Sequence, residues 1–159
     1  KSRINNYISG ESSYQLNISK KAIATGKWSG LGPGKSVQKH VLPHASSDFI
    51  FANIIEEYSI VGGILILVLY ISFLIRILAI SLRIKLMFPY LLLIGLGILI
   101  VFQAFLNMSV SLGIVPVTGQ TLPLISKGGS SIWITSIAIG IILNISHHFN
   151  KKNINYEKQ

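Results

Sequence analysis

Residues 58–75 run without a single charged side chain, and the aliphatic pattern resumes beyond Arg76 as far as Ile80. At about 1.5 Å of rise per residue, a helix of that length crosses a hydrocarbon layer roughly 30 Å thick. A second uncharged stretch, residues 86–126, is too long for one crossing. Pro116, Gly119 and Pro123 are expected to break it, which leaves a helix at 88–113. A third span is expected at 131–146. The fold class that follows is an all-α polytopic membrane protein, with three transmembrane helices placed after a long polar loop segment.

Composition agrees. Charged residues are 12% of the chain, against about a quarter in soluble domains. Half of the residues are hydrophobic and cysteine is absent, which excludes disordered, disulfide-stapled and thiolate-metal classes. The sequence starts at Lys1 rather than Met and is read as a fragment.

Charge near the span ends sets the expected topology. The link between the first two spans carries Arg76, Arg83 and Lys85 with no acid, and the tail carries His147, His148, Lys151, Lys152 and Lys158 against Glu157 alone. The link between the second and third spans holds only Lys127. The expected order is an extracytoplasmic segment 1–56, a span 57–80, a cytoplasmic loop 81–87, a span 88–113, an extracytoplasmic re-entrant loop 114–130, a span 131–146 and a cytoplasmic tail 147–159. Within the first segment, residues 14–26 suit a short interfacial helix ended by Gly26, followed by a turn-rich stretch with Gly30, Gly32, Pro33 and Gly34.

Several motifs invite functional readings. Residues 29–36 approach a phosphate loop, but Ser29 stands at the first glycine and no strand precedes it. A nucleotide site is therefore rejected, although amides and lysines of this loop remain available to a phosphate of another kind. Adjacent His147 and His148 read as solvated interface residues, and no metal site is expected. Gln103 and Asn107, four apart, share one face of the second span. Amides are costly in lipid, so that face looks at protein or a wet cavity. Glu56 and Glu57 read either as carboxylates at the mouth of the first span, at a helix N-terminus, or as functional groups. Asp48 is the only aspartate and directly precedes Phe49-Ile50-Phe51-Ala52. It suits a helix N-cap or, half buried at a membrane surface, a base that accepts a proton from a sugar hydroxyl. Residues 117–131, rich in glycine and hydroxyls, read as a re-entrant segment lining a polar cavity.

In order and spacing, these pieces resemble the SEDS family, the FtsW/RodA cell-wall proteins, over roughly residues 14–146. The matching residues are Gly30-Leu31-Gly32-Pro33-Gly34-Lys35-Ser36 with Gln38-Lys39, Leu42-Pro43 and Asp48-Phe49-Ile50-Phe51-Ala52. They continue with Glu56-Glu57-Tyr58-Ser59-Ile60-Val61-Gly62, Gln103-Ala104-Phe105-Leu106-Asn107, Gly119-Gln120-Thr121-Leu122-Pro123-Leu124-Ile125-Ser126 and Gly128-Gly129-Ser130-Ser131. Gln38-Lys39 and the Phe49–Ala52 run look more like the division branch than the elongation branch.

The resemblance implies a protein of about ten spans, of which this chain holds the last three and most of the preceding external loop. It also implies polymerisation of glycan strands from lipid II in the bacterial cytoplasmic membrane, at the division septum. Asp48 aligns with the family's essential loop aspartate, and the implied role is general base on the acceptor GlcNAc 4-hydroxyl. Lys35, Ser36, Gln38, Lys39, Glu57, Gln103, Asn107, Thr118, Ser126, Lys127, Ser130 and Ser131 are the candidate substrate-binding residues. Among them, the lysines and the serines 126, 130 and 131 answer the charge of a diphosphate leaving group. A divalent cation (Mg or Mn) is implied by the family, although no cage for one is evident. Implied partners are a class B penicillin-binding transpeptidase, other divisome membrane proteins and membrane lipids; nucleic acid is not among them.

Some positions depart from the family pattern. His44-Ala45-Ser46-Ser47 replaces a Glu and a His-Thr pair, Thr118 stands where many relatives carry lysine, and Lys127 where they carry tyrosine. Lys127 is expected to restore the cation lost at Thr118. Two other functions stay open: a flippase for lipid-linked precursors, drawing on the polar face at Gln103 and Asn107, and a non-catalytic divisome scaffold. The isolated 159 residues are expected to be inactive.

Overall fold

The computed structural model describes residues 11–26, 30–36 and 49–156, and every regular element among them is an α-helix. They are α1 (Glu11–Gly26), α2 (Ile50–Ser81), α3 (Met87–Ser111) and α4 (Gly129–Tyr156). Three helices are long and apolar enough to cross a membrane: Ile50–Ser81, Met87–Ser111 and Gly129–Phe149. The chain is thus an all-α polytopic membrane protein.

One seam of small and aliphatic residues holds the long helices together. Ile66, Tyr70 and Ile77 of α2 meet Leu93, Ile100, Ala104 and Met108 of α3, with Ala138 and Ile142 of α4 on the same cluster. The α3 members recur at helical spacing, so they form a single stripe. At Gly97 a Cβ would lie 2.7 Å from the Ile77 side chain, so the absence of one lets α2 and α3 approach closely. The other faces carry exposed large side chains such as Val61, Leu65, Val68, Leu99, Phe102, Trp133 and Ile137. In water such surface would be a liability, whereas against acyl chains it is the ordinary lining of a span.

Helix ends follow local chemistry. α3 stops at Ser111 because Gly113 adopts φ 75, and Ile114 and Gly113 donate back to the carbonyls of Ser109 and Val110 at 2.9 Å each. α4 meets no glycine or proline after Gly140 and continues as helix through His147 and His148 to Tyr156, beyond the expected end at 146. α2 begins at Ile50, ahead of the expected start at 57, and is interrupted at Ser59, which has φ 65 and ψ −177. α1 packs chiefly on α2 and also touches α3. There Ser19 Oγ donates to the Ser111 carbonyl at 2.6 Å, capping the end of α3.

Candidate functional site

The break in α2 organises the first half of the site. In a continuous helix the carbonyls of Glu56 and Glu57 would accept from Ile60 and Val61. The turn at Ser59 withdraws those donors, and the segment 30–36 replaces them: Leu31 N–H bonds Glu56 O at 2.9 Å and Gly32 N–H bonds Glu57 O at 3.0 Å. Ser59 Oγ accepts from Val61 N–H at 3.2 Å and so caps the lower part of the helix. Close approach requires bare backbone. A Cβ on Gly26 would stand 2.0 Å from Ile55 O, and one on Gly30 (φ 59) 2.5 Å from Glu57 O.

These bonds occupy four of the segment's amide donors. The amides of Gly30, Leu31, Gly32 and Lys35 all pair with backbone carbonyls, those of Gly30 and Lys35 with Gly26 O and Gly32 O at 3.0 and 3.2 Å. The segment is therefore a splint across the kink, and those four amides are not free for a phosphate. Its side chains divide: Lys35 is exposed, whereas Ser36 is buried and donates to Glu56 Oε2 at 2.5 Å.

Glu56 and Glu57 are not at a helix N-terminus, because the first turn of α2 holds no acid. The Phe-Ile-Phe-Ala run supplies that turn instead. Glu56 is fully buried, with Oε1 lacking any hydrogen-bond partner, while Glu57 is half-buried. The N-cap position belongs to Phe49, which makes no side-chain cap bond, so the capping role considered for Asp48 falls one residue away. Asp48, Gln38 and Lys39 lie outside the described residues.

The second half of the site is the irregular chain between α3 and α4. It is held at the level of the spans by amides and a phenol, not by aliphatic packing alone. Gln103 Nε2 donates to Thr121 O at 3.2 Å and Asn107 Nδ2 to Gln120 O at 2.7 Å. Tyr70 of α2 donates its hydroxyl to Pro123 O. Gln103 lies eight residues, about 12 Å, inside the Ser111 end of α3. Lipid would leave such carbonyls unpaired, and these donors satisfy them. Ser126 closes the turn: its Oγ accepts from Leu122 N–H at 2.8 Å, and its own N–H donates to Leu122 O at 2.9 Å. Beside this turn Ile66, Leu69, Tyr70, Phe73, Ile100, Leu124 and Ile125 enclose an apolar cleft of about 250 Å³.

Of the candidate residues on this loop, Ser126 is buried and committed to the turn, and the Thr118 hydroxyl is buried without a hydrogen-bond partner. Lys127 and Ser130 are exposed and Ser131 half-buried, its carbonyl accepting from Thr135 Oγ1 at 2.7 Å. The two halves of the site meet at Phe49. It is 1% exposed and clusters with Ile18 of α1 and Val110 of α3, against which Val115 and Val117 also pack. Sequence reasoning missed Ser59, Tyr70 and the burial of Glu56. Only Tyr70, a phenol inside an aliphatic run, carried a signal, since a buried hydroxyl needs an acceptor.

Comparison with known proteins matches residues 2–151 to the family model of the FtsW/RodA/SpoVE cell cycle proteins. The chain is 41% identical over 144 residues to a protein of Lactococcus lactis named probable peptidoglycan glycosyltransferase FtsW, covering 90% of this chain and 34% of that one. A protein of Xanthomonas oryzae with the same name is 40% identical over 88% of this chain and 30% of its own length. One from Buchnera aphidicola, again so named, is 42% identical over 89% and 38% respectively. The chain spans about a third of the length of these relatives.

Proposed function

This chain belongs to the FtsW/RodA/SpoVE family of cell cycle proteins, and from that premise we propose that it is part of a peptidoglycan glycosyltransferase that polymerises lipid II during septal wall synthesis. The end of the bundle bearing Phe49, Ser111 and Gly129 then faces outward. Arg83 and Lys85, in the link between α2 and α3, face the cytoplasm, as the distribution of basic residues requires.

In this reading Asp48 is the general base. It removes the proton from the acceptor GlcNAc 4-hydroxyl as that oxygen attacks the anomeric carbon of the growing strand's MurNAc. The bond from that carbon to the diphosphate breaks, and undecaprenyl pyrophosphate leaves with inversion. Lys35 and Lys127, both exposed on irregular segments, are suited to meet the anionic diphosphate. Ser130 and Ser131, which open α4, add hydroxyls beside Lys127. No group of three or more His, Cys, Asp or Glu residues suited to a metal ion occurs among the described residues, so no step is routed through a divalent cation. A class B penicillin-binding protein and other divisome membrane proteins are the proposed partners.

The observation that carries this reading is the burial of Phe49. The residue that follows Asp48 in the chain is locked against Val110, Val115 and Val117, where the hydroxyl-rich loop leaves α3. The flippase alternative draws on a polar face at Gln103 and Asn107, yet both amides donate to loop carbonyls. Those bonds support the reading of that face as the seat of a loop.

The test is Asp48→Ala in the full-length protein with purified lipid II. Loss of glycan product with partner binding intact supports the enzyme. Undiminished product rejects Asp48 as base.

A further inference from the structure

Glu56 is an unusual residue to find where it stands. Its side chain is fully buried, yet it receives one hydroxyl hydrogen bond, from Ser36, and its Oε1 has no hydrogen-bond partner. Burying a carboxylate is costly unless it is well paired, and groups kept at such cost can specify one arrangement over others. Here the arrangement is the seat of the 30–36 segment. Backbone bonds tie Leu31 and Gly32 to the carbonyls at the kink. Past Pro33 and Gly34, the segment is tied to α2 by the Ser36–Glu56 bond. Lys35 lies between these two anchors, with its amide turned back to Gly32 O and its side chain exposed.

We propose that Glu56 is a positioning residue: through Ser36 it fixes where Lys35 presents its ammonium to the anionic diphosphate of the substrate. The proposal rests on the glycosyltransferase reading above. The hydrogen bond holds Ser36 against α2, and the Gly32–Lys35 turn then sets the direction in which the lysine leaves the backbone. Without Glu56 the anchors at Leu31 and Gly32 persist, so the kink stays splinted while Ser36 loses the carboxylate that seats it beside Lys35.

Steady-state kinetics of the full-length protein on purified lipid II test this. Lys35→Ala sets the scale and is expected to raise KM by up to about fivefold, as for one exposed charge contact. Ser36→Ala and Glu56→Ala are expected to raise KM by the same factor or less with kcat retained. Glu56→Gln restores the wild-type KM, because its amide oxygen still accepts from Ser36. The double variant Lys35→Ala with Ser36→Ala is expected to be no worse than Lys35→Ala alone. A fall in kcat at unchanged KM, or additive effects in the double variant, overturns the proposal and leaves Glu56 a merely structural group.

These 159 residues hold no cysteine, so in a full-length background from which any further cysteine is removed, Ser36→Cys paired with Glu56→Cys gives a second measurement. Cross-linking by a short thiol-bridging reagent, which makes up the two bonds by which cysteine is shorter than glutamate, is expected in membranes, and its absence overturns the contact itself. The two readings separate through Asp48→Ala. If wild type polymerises and Asp48→Ala does not, an unmoved KM in the Glu56 and Ser36 variants defeats this inference alone. If Asp48→Ala polymerises like wild type, the Asp48 mechanism fails by itself, and the KM series still decides the role of Glu56. A wild-type protein that makes no glycan defeats both.

Discussion

Asn107, fully buried in α3, donates through Nδ2 to the backbone carbonyl of Gln120 at 2.7 Å, and so holds a loop thirteen residues further along the chain. Replacing it by leucine keeps the volume but strands that carbonyl. The expected cost is about 1–3 kcal/mol, the range for a buried group left unpaired. Gln103→Leu is expected to cost less, since its bond to Thr121 O is longer, 3.2 Å, and Gln103 itself is only half-buried. Denaturation midpoints in detergent check the order, and equal losses would show that the Asn107 bond is not the principal anchor.

Alanine at three glycines should separate steric need from backbone need. Gly26→Ala drives a Cβ to 2.0 Å from Ile55 O, and Gly30→Ala puts one 2.5 Å from Glu57 O. Gly32 has φ 94 but only the flexible Lys35 side chain near, at 3.8 Å, so Gly32→Ala pays the conformational term alone, about 1–3 kcal/mol. The first two variants are expected to be less stable than the third, measured by yield and thermal midpoint.

Ser59 combines a left-handed φ of 65 with a capping bond to Val61 N–H. Ser59→Ala loses the cap and keeps the backbone cost, so stability is expected to drop by about 0.5–2 kcal/mol. Ser59→Gly also loses the cap but relieves the backbone, and its effect is expected to be within a few tenths of a kcal/mol. Unfolding curves of the two variants that coincide would argue against a strained, capped kink.

Lys127 is exposed and directly follows the buried Ser126 that closes the loop turn. If it supplies the cation that Thr118 lacks, Lys127→Ala raises KM for lipid II by up to about fivefold, a difference that shrinks as salt is added. Undiminished polymerisation at low salt removes Lys127 from the substrate-binding set.

Much of the architecture was legible in one dimension. Residues 58–75 and 86–126 are uncharged because they lie at membrane depth, against acyl chains or packed protein, and that requirement shows in composition whatever the packing. Gln103 and Asn107 share a face by helical spacing alone. Their partners were not legible, because backbone carbonyls that accept from them carry no residue identity. The kink was equally silent: Ser59 is neither proline nor glycine, and its conformation is imposed by Gly26, Gly30, Leu31 and Gly32 docking from a distant stretch of chain.

By itself the sequence determined that this chain crosses a membrane, which stretches are long and apolar enough to do so and which family it resembles, since hydrophobic length and ordered motifs are local properties. Only the tertiary structure decided that Glu56 is buried on Ser36, that the glycine-rich segment splints a kink in α2, and that the amide face of α3 grips the loop between α3 and α4. The physical reason is common to all three. Each is a matter of which buried polar group finds which partner, and that pairing is settled by long-range packing in a medium that offers no water as substitute.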